Sequence, residues 1–400
     1  MLTIYEGVLA DSTGRLFLAC QAEPENQALR GRLFHALALE AELSSGQIVG
    51  NAWQNHLLDR ILADENAFSL KAQRSGLDTM GTALLEAVKA DLAEIKRLSD
   101  EDLGIGQLQP LGDAQAPAIK LALAAASAWQ AMLPHLAEHY REQGTGLLAQ
   151  HRAFRWNAVT GELEPVLNPD PVRLEQLYTY DRERELLLAN TEHFLAGHGA
   201  NNVLLYGERG TGKSSTVKAL LQRYPKLKMV EISPGELTDL PRLLPRLAAN
   251  PGRFVLFVDD LSFDEMELQY KHLKAVLEGG LETRPDNVVI YATSNRRHLV
   301  KERFSDLTKP IVNDEIHQQD TVEEKLSLSD RFGITLTFIS ADQARYLTIV
   351  ESIAKERDIL IEAGELRTRA IRWAMYHNGF SGRTARQFVD FLTGELATSS

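Results

Sequence analysis

The sequence predicts an α/β protein: a three-layer core with a parallel five-stranded sheet, a mostly α-helical N-terminal domain and a C-terminal helical lid. Two observations support the core. Short apolar segments alternate with helical patterns, which is typical of parallel strands covered by helices on both faces. Several of these segments end in glycine or polar residues, at the sheet edge where ligands bind. The predicted strands are residues 203–206, 229–232, 254–258, 288–292 and 334–338, and the predicted helices are 213–224, 239–249 and 265–277.

The domain boundaries follow from a cluster of structure-breaking residues, Asn168-Pro169-Asp170-Pro171. Such a cluster is typical of a linker. We therefore expect an N-terminal domain over residues 1–170 and a core that begins at residue 171 and ends with the last predicted strand, at 338. Trp53, Leu57 and Ile61 recur at helical spacing in the first of these, whereas residues 2–9 and 14–20 could form short strands or one hairpin.

Composition narrows the class of protein. The chain has 400 residues, 44% of them hydrophobic, and a net charge of −12. Nucleic-acid binding would therefore need a local basic patch. The single cysteine, Cys20, excludes an internal disulfide framework and a cysteine-rich zinc site. The first residues lack the basic start and unbroken apolar core of an export signal, so we expect a cytoplasmic protein without a membrane span.

One motif in the N-terminal half suggests a metal site. His135, Glu138 and His139 satisfy H-x-x-E-H, and helical spacing would place both imidazoles on one face, as a zinc pair requires. However, Pro134 directly precedes the first histidine, and nothing nominates a third ligand. Solvent-exposed histidines are the favoured interpretation, with zinc hydrolysis as the alternative.

A glycine-rich segment follows the first predicted strand of the core. Its residues are Gly207-Glu208-Arg209-Gly210-Thr211-Gly212-Lys213-Ser214-Ser215. The segment matches G-x-x-x-x-G-K-S/T, the P-loop, with a strand before it and a helix after it. Glycines let a row of backbone N–H groups approach phosphate oxygens, and the helix N-terminus favours an anion. We predict that the whole segment binds a nucleotide, with Lys213 reaching the β- and γ-phosphates and Ser214 offering its hydroxyl to Mg²⁺.

Polar side chains also end two later strands. Asp259 is placed to hold Mg²⁺, and Asp260 is placed to orient or deprotonate the attacking water. Asn295 could orient that water or contact the γ-phosphate. The alternatives are a helix-capping aspartate and a turn-forming asparagine. Glu265 remains an outside candidate for the base.

Two tyrosines precede the core. In P-loop ATPases the segment just upstream commonly packs on the adenine, so Tyr178 and Tyr180, with Leu177, are candidate base-pocket residues. Ordinary packing of the aromatic rings is an equally acceptable interpretation.

Together these motifs resemble the AAA+ ATPases. The matching segments are Gly207 to Ser214 (Walker A), Val255 to Asp260 (Walker B), Ala292 to Asn295 (sensor 1), Ser329-Asp330-Arg331-Phe332 (the arginine-finger box) and Ser381-Gly382-Arg383-Thr384-Ala385-Arg386 (sensor 2). More narrowly, the chain from about residue 177 to 396 resembles a bacterial AAA+ group catalogued as domain of unknown function 815.

The resemblance implies further roles. Arg331 would be the finger that reaches the γ-phosphate of a neighbouring subunit, which implies a homo-oligomer. Arg386 would be sensor 2, with Arg383 as the runner-up, on a helical lid that the resemblance implies over residues 339–400. Asp260 stands where the family usually has glutamate, which bears on the rate of turnover. The segment Ser233-Pro234-Gly235-Glu236-Leu237-Thr238 lacks the aromatic residue of peptide-threading relatives, so threading is disfavoured.

We therefore expect an ATPase that uses ATP and Mg²⁺ to drive a conformational change acting on a partner macromolecule, with a protein client of unknown identity. One alternative is a loader-like or initiator-like ATPase associated with DNA, suggested by Arg296, Arg297, Lys301 and Arg303. The other is a nucleotide-gated scaffold with little turnover, suggested by Asp260.

Overall fold

The computed structural model describes residues 2–43, 47–101, 116–261, 273–274, 276–277, 284–295, 331–377 and 379–399. The chain divides into two compact units. Unit 1 comprises Met1–Gln150 with the short segment Ala249–Gly252, and unit 2 comprises His151–Ala248 and Arg253–Ser400.

Unit 1 is helical in the part that the structure describes. Trp53, Leu57 and Ile61 are at most 1% exposed, so the periodic stripe faces the core of this unit. Its helices are α1 (Ser12–Ala22), α2 (Gln27–Leu43), α3 (Ala52–Ala63), α4 (Ala67–Arg74), α5 (Thr82–Ser99), α6 (Ala118–Ala125), α7 (Leu133–Gln143) and α8 (Gly146–Gln150).

Residues 2–9 and 14–20 do not form the strands that we considered. The backbone N–H groups of Ile4 and Tyr5 donate to the carboxylate of Asp91, at 2.6 and 2.9 Å, instead of to a partner strand. A 3-10 turn covers Glu6–Leu9. The Asp11 side chain then accepts from the N–H of Gly14 and starts α1, because a carboxylate satisfies a free N–H group of the first helical turn.

The H-x-x-E-H motif lies on α7 and does not form a metal cluster among the described residues. His135 is exposed. Glu138 pairs with Arg141 on the same helix, so its carboxylate is engaged. Pro134 lies in the first turn of α7, where a proline costs no hydrogen bond.

Unit 2 contains a seven-stranded sheet in the order β2-β1-β4-β5-β6-β3-β7. All neighbouring pairs are parallel except β1 and β2. The strands are β1 (Ala153–Asn157), β2 (Glu162–Pro165), β3 (Val203–Gly207), β4 (Leu227–Ile232), β5 (Arg253–Val258), β6 (Val288–Ser294) and β7 (Ile334–Phe338).

The prediction of five strands was wrong, because β1 and β2 extend the sheet beyond β4. Phe154 pairs with Val230 of β4, and β2 completes an antiparallel hairpin with β1. Both strands precede the breaker cluster at residues 168–171. The compact units accordingly divide after Gln150, whereas we placed the boundary at residue 170.

Helices cover the sheet on both faces. Val217 and Leu220 of α10 and Phe194 of α9 pack against one face. On α11, buried leucines recur at helical spacing from Leu240 to Leu247, and this helix packs against β6. The bounds are α9 (Asp181–Leu195), α10 (Lys213–Arg223) and α11 (Leu240–Ala248); the predicted helix at 265–277 lies largely outside the described residues.

Three further helices form the predicted lid. Tyr346, Leu366 and Phe388, one from each helix, belong to a separate apolar core. The helices are α12 (Gln343–Glu356), α13 (Ala363–Tyr376) and α14 (Gly382–Ser399). None of the helices among the described residues is both long and apolar enough to cross a bilayer.

Candidate functional site

The glycine-rich loop joins β3 to α10 at the carboxyl edge of the sheet. Gly207, Gly210 and Gly212 have φ angles of 144°, 78° and 93°, values that side chains disfavour. A Cβ on Gly207 would lie 1.9 Å from the carbonyl oxygen of Phe338 in β7. Glycine is therefore required there by the pairing of β3 with β7 as well as by the loop.

Lys213 lies inside this loop and is 4% exposed. Its Nζ donates to the carbonyl oxygens of Gly207 and Glu208, at 3.0 and 2.7 Å. Thr211 Oγ1 also donates to the Glu208 carbonyl, at 2.9 Å. Burial lowers the pKa of Lys213 to about 8, although the charges of Asp260 and Asp259 act in the opposite direction.

Ser214 and Asp259 are in direct contact. The Ser214 hydroxyl donates to Asp259 Oδ1 at 2.6 Å, and Thr293 Oγ1 bonds the same oxygen at 2.6 Å. The strand order explains this arrangement, since β6 lies between the P-loop strand β3 and the aspartate strand β5. A hydroxyl beside a carboxylate supplies the hard oxygen ligands that Mg²⁺ prefers.

Asp260 and Asn295 also meet at this edge. Asn295 Nδ2 donates to Asp260 Oδ1 at 2.5 Å. Asp260 has a left-handed backbone, with a φ of 55°, and is exposed. Its N–H donates to Thr293 Oγ1 at 2.9 Å. The structure therefore brings the two predicted strand-end residues together, next to Ser214 and Asp259.

A cavity of about 560 Å³ opens over the loop, within the size range of ligand pockets. Three segments of unit 2 line it: the loop and strand ends, the segment before α9, and the lid. From the predicted site the lining includes Tyr178, Tyr180, Arg209, Gly210, Thr211, Gly212, Lys213, Ser214, Ser215, Asp259, Asp260, Asn295 and Arg386. Gly207 and Glu208 contribute the carbonyl oxygens that hold Lys213.

The two predicted base-pocket tyrosines both line the cavity and both pack. Tyr180 stands 4.8 Å from Phe338 between ring centroids and bonds the Ile339 carbonyl. Tyr178 OH donates to Glu356 Oε2 of α12 at 2.9 Å. The base-pocket and packing interpretations are thus compatible.

Glu356 joins the segment before α9 to the lid. It accepts from Gln176 Nε2 at 2.7 Å as well as from Tyr178. The Gln176 bond is the main reason that the pKa of Glu356 is lowered, and the charge of Arg386 contributes. Burial and the hydrogen bond between Tyr178 and Glu356 raise the pKa of Tyr178 to about 12. Gln176 lines the cavity and was missed, because no motif marks it.

The N-terminus of α14 meets the loop directly. The N–H of Arg383 donates to the Gly210 carbonyl at 3.3 Å. Ser381 Oγ accepts from the N–H of Thr384 at 3.1 Å and begins the helix. Arg383 and Arg386 both line the cavity, so the structure does not separate the two candidates for sensor 2.

Arg331 lies elsewhere. It precedes β7, whose first residue Ile334 pairs with Val203 and whose last residue Phe338 pairs with Gly207. Arg331 is thus near the amino end of the strands, opposite the loop, and it does not line the cavity. The other residues of its box, Ser329 and Asp330, lie outside the described residues, as do Glu265, Arg296, Arg297, Lys301 and Arg303.

Unit 1 contains a charged cluster that the sequence analysis missed. His56 is 5% exposed, and its Nδ1 lies 2.7 Å from Glu40 Oε2 while Nε2 lies 3.4 Å from Asp11 Oδ2. Burial opposes protonation, but the hydrogen bonds and charges of Asp11 and Glu40 outweigh it and raise the pKa of His56 to about 9. The cluster is an ion triad that links α1, α2 and α3.

The site's residues fit a nucleotide with Mg²⁺. A Cβ on Gly210 would lie 3.1 Å from Ser381 Oγ, and the φ of 78° disfavours a side chain, so glycine suits the close approach of the loop to the lid. Lys213 offers an ammonium whose Nζ donates to the backbone carbonyls of Gly207 and Glu208. Ser214, at the start of α10, and Asp259, directly after β5, supply oxygen ligands from two different elements.

The match to a family model begins close to the division between the two units. The family model described as "Protein of unknown function (DUF815)" matches residues 149–396. Among solved structures, a mutant of RuvB from Thermotoga maritima is 18% identical, with a TM-score of 0.41, over 57% of this chain and 67% of that one. The Thermotoga maritima RuvB Holliday junction branch migration motor is 17% identical, with a TM-score of 0.34, over 56% and 72%. No curated protein gave a match.

Proposed function

The chain belongs to the DUF815 family, and we propose that it is an AAA+ ATPase that binds ATP with Mg²⁺ and couples binding or hydrolysis to conformational action on a partner macromolecule. The observation that carries the proposal is the 2.6 Å contact between Ser214 Oγ and Asp259 Oδ1. The contact lies beside the glycine-rich loop, residues 207–212, which we call the glycine cradle. A strand-end carboxylate held against the P-loop hydroxyl is the arrangement that P-loop NTPases use for Mg²⁺.

Bound ATP would supply the γ-phosphoryl group, and Mg²⁺ would neutralise charge on the phosphate oxygens. Lys213 would supply an ammonium to the phosphates from inside the loop, where its Nζ now donates to the carbonyl oxygens of Gly207 and Glu208. Ser214 and Asp259 would hold the metal. Asp260 would accept a proton from the attacking water, and the hydrogen bond from Asn295 Nδ2 would orient its carboxylate.

The composition of the cavity supports a conformational response to the nucleotide. Its walls come from the P-loop core and from the lid, represented by Arg383 and Arg386. A ligand that contacts both favours the arrangement in which they are close, so nucleotide binding would bias the lid. The hydrogen bonds of Glu356 to Gln176 and Tyr178 give the lid a second attachment to the same cavity.

Arg331 supports a homo-oligomer within this proposal. Four residue steps separate Ile334 from Phe338, which is about 13 Å at the usual rise of a strand. Arg331 precedes that strand, so it lies at the amino-terminal edge of the sheet, and the loop of its own chain lies at the opposite, carboxyl-terminal edge. An arginine finger at this position would act on the triphosphate of a neighbouring copy.

A nucleotide-gated scaffold with little turnover is the second candidate. Asp260 is shorter than the usual glutamate, has a left-handed backbone and is held by Asn295. The association with DNA remains a prediction, since its arginines lie outside the described residues; salt-dependent affinity for a DNA duplex would support it.

The proposal is tested by equilibrium titration of the full chain with ATP, with and without Mg²⁺, followed by a phosphate-release assay. We expect ATP binding that Mg²⁺ strengthens, and phosphate release that depends on Mg²⁺. Binding without release would favour the scaffold. Absence of ATP binding in both titrations would contradict both candidates.

A further inference from the structure

We propose that Thr293 is a positioning residue of this site, whose single hydroxyl fixes the metal-site carboxylate of Asp259 and the backbone of Asp260 together. The inference rests on the proposed function, because it assigns a role within the same site. Thr293 lies on β6, between the P-loop strand and the aspartate strand, and is 1% exposed.

The direction of the hydrogen bonds is determined by chemistry. A threonine hydroxyl has one proton to donate and can accept through its oxygen. The N–H of Asp260 can only donate, so Thr293 Oγ1 accepts from it at 2.9 Å. The hydroxyl proton is then free for Asp259 Oδ1 at 2.6 Å. One side chain therefore links two consecutive aspartates in a defined order.

Two rigid elements hold the Asp259 carboxylate. Ser214, at the start of α10, donates to Oδ1, and Thr293 donates to the same atom from β6. Ser214 belongs to the metal site itself, whereas Thr293 does not line the cavity. Thr293 would thus not bind the metal itself but would hydrogen-bond the ligating carboxylate of Asp259. Hydrogen-bond partners of this kind orient ligating carboxylates in metal sites.

The backbone of Asp260 needs support at this point. A left-handed backbone is unfavourable for a residue with a side chain, although aspartate tolerates it better than most. Thr293 supplies two contacts to the turn: its hydroxyl takes the N–H of Asp260, and its carbonyl takes the N–H of Leu261 at 2.7 Å. With Thr293 this buried, loss of the hydroxyl would leave the Asp260 N–H without its acceptor.

A buried threonine that merely satisfies its own hydroxyl would also show short hydrogen bonds, so the test compares three variants. Thr293→Val keeps the shape and removes the hydroxyl, and Thr293→Ser keeps the hydroxyl. Thr191→Val is the matched control: Thr191 is 0% exposed in the same unit and bonds Leu187 O and the Tyr291 hydroxyl, away from the cavity.

The main measurement is the affinity of the protein–ADP complex for Mn²⁺ by electron paramagnetic resonance, with phosphate release as the second. For Thr293→Val we expect Mn²⁺ affinity and the release rate each to fall about 10- to 100-fold, as for other partners behind metal ligands. ADP affinity in EDTA should stay within about threefold of wild type, since the phosphate cradle is intact. Thr293→Ser and Thr191→Val should stay within about threefold in Mn²⁺ affinity.

Wild-type Mn²⁺ affinity in Thr293→Val would overturn this proposal alone, and so would a loss in Thr293→Ser as large as in Thr293→Val. An equal loss in Thr191→Val would assign the effect to the fold and would also overturn it. Thr293→Ala lacks the same hydroxyl and carries the same expectation if the valine variant does not fold. A wild-type chain that binds no nucleotide would overturn the proposed function and this inference together.

Discussion

Ser214 Oγ lies 2.6 Å from Asp259 Oδ1, although 45 positions separate the two residues in the chain. No local interaction produces this contact. It arises because β5 and β3 run parallel on either side of β6, so that their carboxyl ends share one edge. The contact therefore forms only when the core strands pair in this order, and the proposed nucleotide site requires it.

Asp260→Asn tests the assignment of the base. The variant keeps the side-chain size and the tolerance for a left-handed backbone but cannot accept a proton from water. We expect phosphate release to fall about 100-fold, with ATP affinity within a few-fold of wild type. Asp286→Asn is the control, because Asp286 is exposed just before β6, at the opposite edge of the sheet. An unchanged release rate in Asp260→Asn would assign the base elsewhere.

Mixing two inactive variants tests the finger. Arg331→Ala should bind ATP but hydrolyse it slowly, and Lys213→Ala should not bind ATP. In a mixed oligomer the Arg331 of a Lys213→Ala subunit can complete the site of an Arg331→Ala neighbour. We therefore expect the mixture to release phosphate faster than the sum of its two components. The gain can be large, because an arginine finger is worth about 10³-fold or more in the hydrolysis rate. Wild-type activity of Arg331→Ala alone, at any concentration, would contradict the assignment.

Gly207→Ala tests the fold around the cradle. The new Cβ would meet the Phe338 carbonyl at 1.9 Å, and the φ of 144° is unfavourable for alanine. We expect a loss of at least about 2 kcal/mol in the free energy of unfolding, measured by denaturant titration of the full chain followed by tryptophan fluorescence. Gly235→Ala is the matched control, since nothing lies within 4 Å of its Cβ position. Equal stability of the two variants would contradict the pairing of β3 with β7.

The ion triad of unit 1 predicts a pH dependence. Because the folded state raises the pKa of His56 from 6.5 to about 9, its contribution to stability is fully present below pH 6.5 and is lost as the pH rises through 9. The stability difference between wild type and His56→Gln should therefore shrink over this window, by on the order of 3 kcal/mol. His35→Gln, an exposed change on α2, serves as control. A difference that is constant from pH 6 to pH 10 would refute the raised pKa.

Much of the core could be predicted from local patterns. β3, β5 and β6 were found because residues buried on both faces leave a nearly continuous apolar run. Ile334–Phe338 also has the predicted bounds, although its two threonines are exposed. β1 and β2 were missed because Phe154 and Trp156 alternate with polar residues on the N-terminal side of the breaker cluster. The alternation with the turn at Gly161, whose φ is 68°, was the available signal for a hairpin.

The residues of the candidate site also fall into those that the sequence could predict and those that it could not. Loop and strand-end residues belong to motifs whose residue types follow from phosphate and metal chemistry, so they could be predicted. Thr293 could not, because a threonine in a strand is explained by β-propensity alone. Its contacts exist only once β5 pairs with β6 and the chain turns at Asp260. Gln176 and Glu356 likewise meet only through the position of the lid.

The most direct test of the central claim is ATP affinity in Lys213→Ala, measured by titration calorimetry beside wild type. Lys218→Ala is the matched control, because it removes the same charge from the same helix outside the cavity. Since Lys213 is the ammonium inside the glycine cradle, we expect ATP affinity to fall at least about 100-fold in Lys213→Ala and to stay near wild type in Lys218→Ala. Retained ATP affinity in Lys213→Ala would contradict the account.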